Sequence, residues 1–313
     1  NTNIVIGIID NDQVAFTGRL ATDKLKTADE YALQFVGMLN MKHIDVADIE
    51  GVIISSVVPP LILTMKRAIK TLTGKVPVIL GPGTKTGLNI KLDNPAQLGC
   101  DQVADAVAVI NKYPTPAMVL DMGTATTVSV IDKNKNYLGG LIIPGIRISQ
   151  DALSSSTSQL PRISLEKPEK VIGKNTIDCM KSGAVYGSAS MIDGLADRIE
   201  DELGEKVTII ATGGNAESIV SVCKRDVIYD GNLLLDGLNF IYKKNNNKSD
   251  IMKANEKKDT ILKMLKENSD RYISGEELSE MFNVSRTAIW KNINDLRKMG
   301  YEIDSVTNRG YKL

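Results

Sequence analysis

One histidine and three cysteines are what this 313-residue chain has least of, and those shortages exclude more than its abundances do. A Ser-His-Asp or Cys-His nucleophile would have to use His43. It stands in Met41-Lys-His-Ile-Asp45 with no nucleophile motif near it, so a solvated surface histidine is expected. Cys100, Cys179 and Cys223 are scattered, and no pair has the Cys-x-x-Cys spacing of a zinc site. Three such cysteines fit a reducing cytoplasm better than a disulfide scaffold. No apolar run approaches the ~20 residues a membrane helix needs. The longest, residues 51–63, is broken by Ser55, Ser56, Pro59 and Pro60. The chain opens on polar Asn1-Thr2-Asn3, without a Met or the basic head of a signal peptide, which reads as a missing N-terminus. A cytoplasmic, non-membrane protein is expected. Its chemistry must rest on carboxylates, backbone amides and bound ions.

Charge of one sign is also lacking, since Lys+Arg and Asp+Glu both number 38. The balance hides two unlike pieces. Residues 243–313 hold 15 basic against 11 acidic side chains, and residues 1–242 hold 23 against 27. The change begins at Lys243-Lys-Asn-Asn-Asn-Lys-Ser-Asp250, polar and free of aromatics, which is linker composition. The domains expected are 1–115, 116–242, a linker at 243–256 and a module at 257–313.

Along the first two, apolar patterning predicts a hairpin at 3–10 and 13–20 around Asn11-Asp12, and a helix over 27–39 opened by the capping box Thr27-Ala-Asp-Glu30. Strands at 52–57 and 76–80 and helices at 61–72 and 101–111 follow. A second strand, small-residue turn and strand recur at 117–131, with helical sequence at 180–203 and a strand at 207–211. This alternation predicts α/β architecture in two related halves.

Three stretches carry chemistry. In Asp121-Met-Gly-Thr-Ala-Thr126, Gly123 allows a ligand close to the backbone, Thr124 and Thr126 offer hydroxyls, and Asp121 can hold a cation. An ordinary Asp-x-Gly hairpin turn explains the same residues equally well. In Gly99-Cys-Asp-Gln102, Asp101 opens a helix whose dipole favours an ionised carboxylate, and a simple helix cap is the plainer role. The small residues between Gly173 and Gly187 permit close helix packing.

Taken together, residues 1–242 resemble type III pantothenate kinase. The matching motifs, in order, are Asn1-Thr2-Asn3, Ser55-Ser-Val-Val-Pro59, Gly81-Pro-Gly-Thr-Lys-Thr-Gly87, Gly99-Cys-Asp-Gln102, Asp121-Met-Gly-Thr-Ala-Thr126, Gly139-Gly-Leu-Ile-Ile-Pro-Gly145, Leu160-Pro161, Asn175-Thr176, Ser182-Gly183 and Ala211-Thr-Gly-Gly214. The resemblance implies an actin/hexokinase-like fold of duplicated RNase H-like halves, and a homodimer with pantothenate near the subunit interface. It further implies ATP-dependent phosphorylation of pantothenate to 4′-phosphopantothenate, the first step of coenzyme A synthesis, with Mg²⁺-ATP and a monovalent cation, K⁺ or NH₄⁺. By position, Asp101 would be the general base and Asp121 the cation ligand. Gly99, Cys100, Asp101, Gln102 and Thr176 would contact pantothenate. Asn1, Thr2, Asn3, Ile4, Val5 and Thr124 would contact ATP. Such chemistry needs positioning and charge neutralisation, and neither His nor Cys. Two departures stand out. The family's Asp-x-Gly-Asn-Thr is met only from its Asn onward, and its Gly-x-Asp-Arg ends in Gln102. Arg pairs with a carboxylate through charge and two parallel hydrogen bonds, which neutral Gln cannot do, so weak pantothenate binding is expected.

In the basic module, a helix at 259–265, a capping box Ser274-Gly-Glu-Glu277, a Ser285-capped helix with Ile289, Ile293 and Leu296 on one face, and a hairpin about a turn at 307–310 follow one another. That order is a winged helix-turn-helix. Arg286, Thr287, Trp290 and Lys291 are its candidate DNA contacts, with Arg309 at the wing tip. A packing module with solvated charges is the bland alternative. The segment resembles the N-terminal domain of biotin protein ligase/biotin repressor, notably in Ser285-Arg-Thr-Ala-Ile-Trp-Lys and Asn308-Arg-Gly-Tyr-Lys-Leu. A DNA-binding regulator using the kinase fold as a ligand sensor is the second functional reading.

Overall fold

The structure, a computed structural model, describes residues 3–246, 248–268, 271–282, 284–306 and 309–313, with backbone only over 248–257. The chain divides into two compact units, Asn1–Asn245 and Asn246–Leu313.

The first unit opens with β1 (Asn3–Asp10) and β2 (Gln13–Ala21), an antiparallel hairpin. Asn11 and Asp12 both take positive φ at its tip, as a tight two-residue turn demands. Helix α1 (Ala28–Asn40) begins at Thr27, and the reciprocal bonds between Thr27 and Glu30 form the expected capping box. Then come β3 (Ile53–Ile54), α2 (Pro59–Thr73), β4 (Val78–Ile79), β5 (Asn89–Ile90) and α3 (Cys100–Lys112). The runs at 52–57 and 76–80 are apolar enough for longer strands. Only two residues of each pair, as a parallel β3–β4 ladder, so tertiary pairing shortens what propensity offers.

The second half is built on β6 (Ala117–Met122), β7 (Ala125–Ile131), β8 (Asn136–Pro144), β9 (Thr208–Thr212) and β10 (Val227–Tyr229). Their sheet order is β10-β9-β6-β7-β8, with β5 on the far edge. The hairpin strands β6, β7 and β8 are antiparallel, while β9 and β10 continue parallel beyond β6. This is the RNase H-like strand order. The first half repeats its hairpin and its parallel pair as two separate ladders.

Strand β6 is the spine because it is buried on both faces, hence its apolar run from Ala117 to Leu120. Met118, Leu120 and Met122 face α5 (Thr176–Leu203) and α6 (Ala216–Val220), packing with Ile192, Ala196 and Ile219. Ala117 and Val119 face α3, packing with Ala106, Val109 and Ile110. Each large side chain so buried contributes roughly 1.5–3 kcal/mol. Helix α4 (Ile146–Ser156) follows β8, and α7 (Leu233–Asn245) packs on α3 through Leu238 and Ile241.

The second unit holds α8 (Lys248–Glu267), α9 (Gly275–Met281), α10 (Arg286–Lys298) and the β11 (Asp304–Val306)–β12 (Gly310–Lys312) hairpin. Ile261, Leu265, Leu278, Ile289, Ile293 and Leu296 form its core. Two expectations are corrected here. Residues 243–245 and 248–256, read as linker, are helical, because a run of Lys, Asn, Ala and Glu has adequate helix propensity despite its polarity. At 274–277 only half a capping box forms. Ser274 accepts from the Glu277 amide, but the Glu277 carboxylate pairs with Arg271 at 3.1 Å instead.

Candidate active site

Asp121 is the penultimate residue of β6, level with Thr127 of β7 and Thr212 of β9. The turns after β6 and β9 therefore meet at one end of the sheet. Gly213 has φ 93, and a Cβ there would lie 2.8 Å from both Asp121 Oδ1 and the Met122 backbone. Only glycine permits that approach. The Asn215 amide donates to the Met122 carbonyl at 3.4 Å, joining the two turns. On the other side Gly145, which precedes α4, touches the Thr124 carbonyl so closely that a Cβ would lie 2.1 Å from it. Thr124 itself is exposed on this braced turn.

Asp101 comes from the first turn of α3, after the N-cap Gly99. Its Oδ1 accepts the Gln102 amide at 2.9 Å, so the carboxylate is held by the helix N-terminus. Gly99, not Asp101, occupies the cap position. Burial, and secondarily the charge of Asp101, pushes Asp121 up to about 6. One turn along α3 lies Asp105, 3% exposed, its Oδ1 without a hydrogen-bond partner. Burial holds its carboxyl well above the usual range, and Asp121, Asp101 and Asp230 add to the effect. Neither Asp105 nor Asp121 has a Lys or Arg among the groups acting on it. Buried carboxyls without a counter-charge keep their protons or attract a cation. Among the described residues, no group of three His, Cys, Asp or Glu could hold a metal ion by itself.

The other expected substrate residues divide. Gln102 reaches the buried Tyr137 hydroxyl at 3.5 Å, and that hydroxyl shares a 3.1 Å bond with Ser129. The Cys100 thiol donates to the Leu80 carbonyl at 3.3 Å. Thr176, at the start of α5, lines a cavity of about 980 Å³ with Ile143, Gln150, Lys174 and Cys179, a cavity that residues 99–102 do not line. Asn3, Ile4 and Val5 lie on β1, while Asn1 and Thr2 fall outside the described residues. His43 is exposed, as expected, and all three cysteines are free. No helix among the described residues is long and apolar enough to cross a membrane.

Asp105 escaped the reading of the sequence although its spacing from Asp101 puts both on one helix face. That i, i+4 relation was the available signal. Nothing local in the sequence marks Tyr137, whose hydroxyl meets Gln102, or Ser129, which meets Tyr137 across β7 and β8.

The model of the type III pantothenate kinase family matches residues 1–198. The chain belongs to that family. The type III pantothenate kinase of Halalkalibacterium halodurans is 44% identical over 245 residues, 78% of this chain and 96% of the relative. That of Exiguobacterium sibiricum is 42% identical over the same shares. Among solved structures, the activator of 2-hydroxyisocaproyl-CoA dehydratase from Clostridium difficile, with bound ADPNP, aligns at 14% identity and a TM-score of 0.42. It covers 80% of this chain and 93% of that one. At that level the family assignment rests on the sequence relatives alone.

An HTH domain model matches residues 257–312. Within it, Ser285 caps α10 by accepting the Ala288 amide at 3.2 Å. Arg286, Thr287, Trp290 and Lys291 form the exposed face opposite Ile289 and Ile293, with Trp290 57% exposed. Arg286 pairs with Glu276 of α9 at 2.5 Å. The helix's own acid, Asp295, is turned away to Lys258 at 2.9 Å. Arg309 is exposed beside the β11–β12 turn, while Thr307 and Asn308 lie outside the described residues.

Proposed function

We propose that this chain phosphorylates the 4′-hydroxyl of pantothenate with ATP. The observation carrying that reading is that Asp101, in the first turn of α3, lies near enough to Asp121 of β6 for its charge to act on that carboxyl, in a chain of this family. Asp101, held in the first turn of α3 by the Gln102 amide, takes the proton of the attacking hydroxyl. Asp121, half-buried and with no Lys or Arg among the groups acting on it, suits a monovalent cation, K⁺ or NH₄⁺, which when bound would offset phosphate charge. Thr124 and the β1 residues Asn3, Ile4 and Val5 contact ATP, whose Mg²⁺ arrives on the phosphates. Gly99, Cys100, Gln102 and Thr176 contact pantothenate.

A homodimer completes the pantothenate site. Thr176 lines a cavity separate from residues 99–102, and exposed Ile142 and Ile172 (79% and 81%) offer apolar surface for a second copy. The C-terminal module binds DNA through Arg286, Thr287, Trp290, Lys291 and Arg309, since the outer face of α10 carries no acid of its own.

The test is pantothenate phosphorylation by the protein with and without K⁺. Turnover that needs K⁺ and falls at least about a hundredfold on Asp101→Asn is the expected result. No turnover at saturating pantothenate and ATP favours the sensor-regulator reading instead.

A further inference from the structure

The acid cluster raises a question of charge. Asp101 and Asp121 both raise the pKa of Asp105, Asp121 stands at the turn after β6, and a nucleotide brings further negative charge. A phosphate chain there needs side-chain cations within reach.

The fold supplies one from β2. Arg19 stands directly across the hairpin from Val5 in the β1–β2 register. Its guanidinium reaches the turn after β9, where Nη1 lies 3.7 Å from where a Cβ on Gly214 would be. Gly214 follows Gly213, the residue that rests on Asp121 and Met122. Arg19 is thus carried from one nucleotide-facing element to another. It is exposed, and among the described residues it makes no hydrogen bond or ion pair. An arginine held for structure would be expected to use its fork on a carboxylate or carbonyl, as Arg225 does with Glu200 and Asp197.

We propose that Arg19 is an ATP-binding residue whose guanidinium pairs with the phosphate chain over the turns at 122–124 and 213–215. The proposal rests on the kinase reading for the nature of the nucleotide. It concerns the donor's phosphates and leaves the pantothenate subsite untouched. Arg suits the role because its planar fork can take two phosphate oxygens at once.

The test measures Mg²⁺-ADP binding by calorimetry and steady-state kinetics on the full chain, for wild type, Arg19→Gln and Arg19→Lys. Loss of a charge-assisted pair predicts roughly a tenfold weaker nucleotide Kd and a matching rise in ATP KM for Arg19→Gln. The pantothenate KM and the Tm should not move. Arg19→Lys, which keeps charge and loses the fork, should fall between. Wild-type nucleotide affinity in Arg19→Gln overturns the proposal and leaves the kinase reading standing, as does an effect confined to the pantothenate KM. Nucleotide binding that depends on Arg19 in a protein without pantothenate turnover supports the proposal and overturns the kinase reading. Where Arg19→Gln lowers the Tm, the comparison of Arg19→Lys with wild type decides.

Discussion

Gly213 and Asp121 stand so close that a Cβ on the glycine would lie 2.8 Å from the carboxylate's Oδ1. Two turns from distant parts of the chain are locked there by the absence of a single carbon. Gly213→Ala adds that carbon and also strains a residue at φ 93. Strain of this kind costs roughly 1–2 kcal/mol. The expected outcome is a Tm a few degrees lower and an ATP kcat/KM reduced at least about tenfold. Thermal melts alongside steady-state kinetics measure both.

Gln102 reaches for the Tyr137 hydroxyl and leaves position 102 uncharged. A charged hydrogen bond is worth about 1.5–3 kcal/mol against about 1 for a neutral one. Gln102→Arg should therefore lower the pantothenate KM about tenfold, with ATP KM unchanged. Initial rates over both substrates decide it, and an unmoved pantothenate KM would refute the account.

Asp105 has a folded-state pKa well above its ordinary value, from burial first and then its acidic neighbours. Its contribution to stability is fully present below the unfolded pKa near ~3.9 and is lost as pH rises toward the folded one. Asp105→Asn cannot ionise. The variant should melt a few degrees above wild type at pH 8, and the gap should close toward pH 4. A gap that widens on acidification would reverse the sign and reject this role for burial.

Arg286 must exchange Glu276 for a phosphate if α10 enters a groove. An exposed pair is worth ~0–1 kcal/mol, so Glu276→Gln should strengthen DNA binding by at most about fivefold. Arg286→Ala should weaken it and reduce the salt slope by about one. Fluorescence anisotropy of the full chain on duplex DNA across a salt series reads both effects.

How much was legible in the sequence follows the range of the forces involved. The α1 capping box, the β1–β2 turn, the α10 core stripe and the two Ser caps of the C-terminal unit are local, within a few residues, and were read correctly. The short β3 and β4 were overestimated because strand length depends on a partner. Helices α4 and α7 were missed. Helix α7 owes its place to packing against α3 through Leu238 and Ile241, which no local motif announces.

At the site the same division holds. Residue types by themselves pointed to aspartates, backbone turns and cations, and ordered motifs determined the family. The tertiary structure decided which aspartates share one electrostatic field, and added Asp105 to Asp101 and Asp121. It decided that Gln102 meets Tyr137, that Thr176 lines a different cavity, and that Arg19 arrives beside Gly214. The physical reason is that charge coupling and desolvation depend on what excludes water around a group. Those excluding residues come from segments far apart in the chain, as Gly213 is from Asp121 and Arg19 from Gly214.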